Sequence, residues 1–347
     1  MASGIHPPLI ASASATPPVA AGHADAALPP CLIVNPRSFN VMSNRLAGRA
    51  TQLARANGAD VIEVREFAQL AAALDSVLAR GTRQLFVLAG DGTVHGIIDQ
   101  LVRLPAACPM PQLLILAGGR TNLIAADLGG GGAVLSKLEA ALVRARNGAA
   151  AGLQVQYRNT LAIEQAPAPP RHGFFVAAAV LDTVIRECHR HRMVGSGTFR
   201  TGKLSTAWCL LQLALRQLFG RNPVRCPDLD IDAPGCGRLC GPTRVLMATT
   251  LSHRIGLLDP YARRGTGAVR VTAVAARAAG FWRTLPRLLT GRFSERMNAE
   301  RGYLSGSCEW LQVRGLGGYT LDGEEFETDP AKPVVFRTGP SISFLQP

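Results

Sequence analysis

The chain has little lysine, little aromatic residue, an excess of charge of one sign and no long uncharged apolar run. Lys137, Lys203 and Lys332 are its only lysines, so the 37 basic residues that outnumber 24 acidic ones are nearly all arginines. Abundant Ala, Arg and Gly partly reflects coding bias, and the choice of Arg over Lys is not read as functional. The sign of the +13 net charge still matters, because a basic surface attracts nucleotides, nucleic acid or anionic membrane. Aromatics make up 5% of the residues, and no interleaved aromatic–basic motif is evident, so nucleic acid is not expected as a partner. No run reaches the ~18 uncharged apolar residues of a membrane span. The longest candidate, LSTAWCLLQLAL at 204–215, is too short. The first thirty residues carry no Lys or Arg, which does not suit a secretory signal. Residues 1–29, rich in Pro and Ala, read instead as a disordered leader. A cytoplasmic protein is expected, touching the inner face of the membrane peripherally.

Eight cysteines are scattered, several of them, such as Cys31 and Cys209, inside apolar runs where a thiol behaves as a small hydrophobe. Only Cys236 and Cys240 lie close together, with Cys226 upstream and no second pair to complete a zinc site. Reduced core or loop thiols are expected.

At 347 residues the chain has room for two domains. From residue 31 short apolar runs alternate with amphipathic ones. CLIVN (31–35), ADVIEV (59–64), QLFVLA (84–89) and QLLILA (112–117) read as strands. Helices are expected at 43–57, with Ser43 as N-cap, at 67–80, from about 93 to 103, and at 134–146. Continuous apolar strands separated by helices imply a parallel sheet covered on both faces, over residues 30–149. After about residue 150 the strands shorten and alternate: LQVQY, TLAIEQ, RVLMATTL and VRVTAV. Residues 150–347 therefore read as an antiparallel β domain, with a helix expected at 201–219 and the last residues returning to the first domain.

Two glycine junctions fall where consecutive strands end: Gly90-Asp91-Gly92-Thr93 and Gly118-Gly119-Arg120-Thr121-Asn122. In a parallel α/β sheet ligands bind at that end, and helix N-termini present unpaired N–H groups to anions. Glycines let the backbone approach phosphate oxygens, and Thr93, Thr121 and Asn122 add side-chain hydrogen bonds. Asp91 is placed to bind magnesium or to accept a proton from a hydroxyl. Near the other end of the chain, YTLDGEEF (319–326) carries an Asp-Gly turn signal between two strand-like runs, which alone favours a plain hairpin.

NPRS (35–38), AGDGT (89–93), GGRTN (118–122) and LDGE (321–324) follow the order and spacing of motifs in the diacylglycerol kinase-like lipid kinases, which the chain resembles. That superfamily includes sphingosine kinases and, more distantly, NAD kinases. The resemblance implies a nucleotide-binding α/β domain, a following β-sandwich-like domain and an active site between them. It implies ATP and Mg2+, with transfer of the γ-phosphate to a lipid hydroxyl, diacylglycerol or a similar lipid. On that resemblance Asn35, Pro36, Gly90, Gly92, Thr93, Gly118, Gly119, Arg120, Thr121 and Asn122 hold nucleotide. Asp91, Asp322 and Glu324 are catalytic, with Asp91 and Asp322 also as metal ligands and each open as general base. A lipid substrate at a membrane surface is the expected partner, and a homodimer is left open.

This sequence departs from the family pattern at four places. Ala89 replaces the first of two glycines, and Gly96 stands where many members have Glu. Arg120 replaces the common Thr, and Phe39 replaces a small residue. The alternatives are an NAD kinase-like enzyme and a nucleotide- or lipid-binding protein without catalysis. Three stretches stand outside these motifs. GTFRTGK (197–203) matches a phosphate loop only up to its lysine and reads as chance. The His/Arg-rich 187–200 reads as a solvated loop or a contact to anionic headgroups, and FWRTLPRLLTGRF (281–293) as packing or a membrane contact.

Overall fold

The computed structural model describes residues 28–105, 107–120, 122–147, 154–194, 225–252 and 259–346. Most of the leader, Thr121, the helix expected at 201–219, the phosphate-loop-like 197–203 and residues 195–200 lie outside the described residues, whereas 187–194, expected as part of a loop, are helical.

The first layer is a parallel sheet of β1 (Cys31–Val34), β2 (Asp60–Glu63), β3 (Gln84–Ala89) and β4 (Gln112–Ala117), in the order β2-β1-β3-β4. β1 is buried throughout, as are β3 and β4 beyond their first residue, which is why they read as unbroken apolar runs. β2, at the edge, carries Asp60 and Glu63 and is only partly covered, as suits an edge strand. Around this sheet lie α1 (Phe39–Ser43), α2 (Leu46–Ala56), α3 (Gln69–Ala79), α4 (Asp91–Val102), α5 (Leu123–Asp127) and α6 (Val134–Arg146). The single helix expected at 43–57 is therefore two, broken where Arg45 takes a left-handed conformation with φ 50° as the cap of α2. Ser43 ends the first rather than capping the second. Helix α4 starts two residues earlier than expected, so Asp91 and Gly92 belong to its first turn.

The second layer is antiparallel. It contains β5 (Gln154–Glu164), β6 (Arg171–Gly173), β7 (Phe175–Ala179), β8 (Asp228–Ala233), β9 (Gly237–Thr249), β10 (Val269–Ala275) and β11 (Tyr303–Cys308), then β12 (Trp310–Arg314), β13 (Gly318–Leu321) and β14 (Glu324–Glu327). LQVQY and TLAIEQ are one strand, β5, rather than two. β8 shows the alternation of a one-sided strand: Leu229, Ile231 and Ala233 are buried while Asp228 and Asp232 face water. Helix α7 (Val180–Val194) follows β7, and α8 (Phe281–Leu289) follows β10.

The last strand, β15 (Val334–Gln346), joins the two layers. It pairs antiparallel with β5 and β12, and through Phe344 opposite Leu113 it runs parallel to β4. Phe344 is fully buried and meets Phe174 edge-on at 6.0 Å between ring centres. It sits in the same apolar cluster as the strands of the first sheet. Phe344→Ala should remove about 3–5 kcal/mol of stability, as large-to-small changes of buried aromatics do. Chemical denaturation should show the midpoint fall.

Candidate functional site

The order β2-β1-β3-β4 reverses direction between β1 and β3, and the crevice at that switch point is where open α/β sheets take ligands. The loop after β1 and the start of α4 meet there. Asn35 donates from Nδ2 to Thr93 Oγ1 at 2.9 Å and accepts the Arg37 N–H at Oδ1 at 2.9 Å. Ser38 Oγ accepts the Gly90 N–H at 2.9 Å. These bonds strap the NPRS loop to the helix N-terminus.

Between them lies a pocket of about 310 Å³. Asn35, Arg37 and Ser38 form one wall; Gly90, Gly92 and Thr93 form another. Glu66, Phe67 and Leu70 from around α3 close it, and Glu324 enters from the second layer. The first intrahelical bond of α4 runs from the Val94 N–H to the Gly90 carbonyl, so the first-turn N–H groups of Gly92 and Thr93 have no helical acceptor. Glu324 comes down on Gly92: a Cβ there would overlap its Oε1, so a side chain at 92 would displace the carboxylate.

The second glycine junction braces this pocket from behind instead of lining it. Gly118 and Gly119 are buried, and a Cβ on Gly119 would come within 2.8 Å of the Gly90 Cα. Their N–H groups are already engaged, that of Gly118 by the Ala89 carbonyl at 3.0 Å and that of Gly119 by Asn122 Oδ1 at 2.7 Å. Asn122, left-handed at φ 51°, donates its own N–H to Asp91 Oδ2 at 2.8 Å. One Asp91 oxygen is thus held by the second loop. Arg120 lies on the outer side, with its guanidinium 3.9 Å over the Phe39 ring. Pro36 closes the turn of the first loop and is not part of the lining.

Asp322 and Glu324 take different places. Asp322 at φ 50° and Gly323 at φ 96° form the two-residue turn between β13 and β14. The Asp322 carboxylate is buried, accepting the Phe174 N–H at Oδ2 (2.9 Å) and the Phe175 N–H at Oδ1 (2.8 Å). It anchors the turn to β7 and does not line the pocket; Glu324, two residues on, does. Both of its oxygens being held by backbone donors, Asp322 is poorly suited to the metal-ligand role implied by resemblance.

His95 was not singled out from the sequence. It is buried on α4, and its Nδ1 faces Asp322 Oδ2 at 3.5 Å with no closer partner. One turn on, Asp99 accepts the His172 N–H of β6 at 3.0 Å. Helix α4 therefore touches the second layer through two polar contacts on one face, a spacing of four residues that is the only trace in the sequence. Gly96 lies between them, and a Cβ there would meet Phe67 at 2.5 Å and Leu70 at 2.7 Å. The space of the common Glu is filled by those two side chains.

Burial, the strongest influence on the His95 ring, favours its neutral form. The hydrogen-bonding and charge of Asp322, with the charges of Asp99 and Glu324, oppose it and prevail, so its pKa rises above 6.5. A group whose pKa is raised on folding adds stability that is full below the unfolded value and lost as pH climbs through the folded one. The stability gap between wild type and His95→Leu should therefore be widest below about pH 6.5. It should narrow as pH rises, as thermal melts at a series of pH values would record.

Residues 29–153 match the family model "Diacylglycerol kinase catalytic domain". No curated protein matches the chain. Among solved structures, a diacylglycerol kinase from Bacillus anthracis str. Sterne is similar at 12% identity and TM-score 0.60, covering 92% of this chain and 97% of that one. A candidate diacylglycerol kinase of the same organism is similar at 13% identity and TM-score 0.64, with the same coverage.

Proposed function

We propose, from the match of residues 29–153 to the diacylglycerol kinase catalytic domain, that this chain is a lipid kinase of that kind and transfers the γ-phosphate of ATP to the hydroxyl of diacylglycerol or a similar membrane lipid. The observation that carries this reading is the meeting of Glu324 with the first turn of α4, across more than two hundred residues of chain, inside a pocket at the switch point. Phosphoryl transfer asks a protein mainly for positioning and charge neutralisation. Here the Gly92 and Thr93 N–H groups and the positive end of α4 receive phosphate oxygens. Asn35 holds Thr93 in place for the same contact.

The pocket fits a nucleotide phosphate chain on one point of structure: Gly90 and Gly92 in its lining carry no side chain of their own to keep a phosphate from the backbone. It fits Mg2+ on donor chemistry at one side chain, because Glu324 in the lining supplies the hard carboxylate oxygens this ion takes alongside phosphate and water. Among the described residues no group of three or more His, Cys, Asp or Glu is preassembled for a metal. When bound, the ion offsets the charge of the triphosphate. Glu324 accepts the proton of the attacking hydroxyl; Asp91, whose Oδ2 accepts the Asn122 N–H, is not part of the pocket lining. Asp322 is a positioning residue that holds the turn from which Glu324 projects. Gly118, Gly119, Arg120 and Asn122 support the loop that touches nucleotide.

Radiolabelled ATP with mixed diacylglycerol micelles tests this reading, NAD serving as the rival acceptor. Wild type should yield an organic-extractable labelled product. Glu324→Gln should lose about 10²–10⁴ in kcat, the usual contribution of a general base, with little loss of stability. Asp322→Asn should instead lower stability by about 1.5–3 kcal/mol through its backbone bonds. A labelled product that is only a soluble dinucleotide, or Glu324→Gln at wild-type rate, would sink the proposal.

A further inference from the structure

The segment FWRTLPRLLTGRF forms α8 and its exit turn, and the structure divides it into two faces. Phe281, Leu288, Leu289 and Phe293 pack with Val274, Met297 and Tyr303 in a small core of their own. Trp282 stays 51% exposed, and Arg283, Pro286 and Arg287 are exposed beside it. Successive residues turn by 100° around a helix, so these four share one arc of its outer surface. Trp282 stands at one margin of the arc, next to the apolar side.

Exposed arginines elsewhere are of two kinds: Arg45, Arg49 and Arg55 at the start of and along α2 form no ion pair among the described residues, whereas others do. Arg65, Arg80, Arg103, Arg158, Arg238 and Arg337 each pair with a carboxylate. In the 25 residues from 277 to 301 six arginines are exposed, at 277, 283, 287, 292, 296 and 301, and none has a carboxylate partner. Glu295 and Glu300, the acids of the segment, are exposed and form no ion pair.

We infer that the outer face of α8 is a docking surface for an anionic lipid bilayer, with Trp282 seated among the headgroups and Arg283 and Arg287 on their phosphates. An indole at the edge of an apolar face suits the membrane interface, and clustered unpaired arginines suit an anionic leaflet. The helix is separate from the pocket. Along β10, Arg270 lies level with Thr249 and Phe175 beside the Asp322 turn, whereas Ala275, which leads to α8, lies level with Thr243. The inference rests on the reading that the substrate is a membrane lipid, but its test needs no turnover.

The full chain is sedimented with vesicles of phosphatidylcholine alone or mixed with phosphatidylglycerol, without ATP. Wild type should partition onto the anionic vesicles only. The double variant Arg283→Glu/Arg287→Glu should lose roughly tenfold or more of that partition, and Trp282→Ala should weaken it too. Trp310→Ala, removing another exposed indole, should not. Unchanged melting temperatures show that each variant is folded. Undiminished binding by the double variant overturns the assignment. So does equal binding to neutral vesicles, an equal loss in Trp310→Ala, or polyuridylate bound as tightly with the same dependence on these residues. Vesicle binding without any lipid phosphorylation would spare this surface and sink the kinase reading, and phosphorylation of dispersed short-chain lipid without vesicle binding would do the reverse.

Discussion

The site depends on one buried carboxylate. A two-residue turn of Asp-Gly sets the twist of the β13–β14 hairpin, but a hairpin at a sheet edge is free to splay unless something holds its tip. The two backbone donors of Phe174 and Phe175 do so by gripping Asp322 from both sides. Hydrogen bonds to a charged acceptor are about twice as strong as neutral ones. Arg186 of α7 adds a second hold on the hairpin, bonding the Phe326 carbonyl at 2.9 Å and pairing with Glu327. With the tip fixed, residue 324 stands over the first turn of α4, and glycine at 92 leaves room for its Oε1 there.

This explains why the late acidic motif supported two readings at once. As a hairpin signal it is correct, and as a source of a carboxylate at the pocket it is also consistent with the geometry; the two acids divide the work. Nothing in LDGE says which one points inward, because that follows from β7 lying alongside. The first sheet was far more legible. β3 and β4 run over the residues that the apolar pattern marks, since a strand buried on both faces reads as one unbroken apolar run. Helix α6 is likewise where its periodicity puts it. The break at Arg45 was invisible, because an arginine in a left-handed conformation leaves no compositional trace. The inward turn of Gly118 and Gly119 was equally hidden: glycine marks close approach of backbone without saying to what.

The departures from the family pattern come in matched sets. Phe39 and Arg120, each unusual alone, lie face to face, and a guanidinium over an aromatic ring is attractive by roughly 0.5–1 kcal/mol at an exposed site. Gly96 gives up a side chain where Phe67 and Leu70 come across from α3. A helical glycine costs about 1 kcal/mol relative to alanine, and the close packing of α3 on α4 offsets it. Read one at a time these residues look like erosion of a motif. In the folded protein they are pairs that fit each other.

The placement of β15 has a bearing on how the chain matures on the ribosome. β4 is flanked on one side by β3 and on the other by a strand that ends at residue 346. Until that strand emerges, the nascent first layer carries an uncovered apolar edge, the kind that recruits foreign strands. Closing it joins segments more than two hundred residues apart, which slows the final step relative to the local pairings before it. The first layer is thus translated early and finished last, and in the interval between those moments its β4 edge stands open to foreign strands.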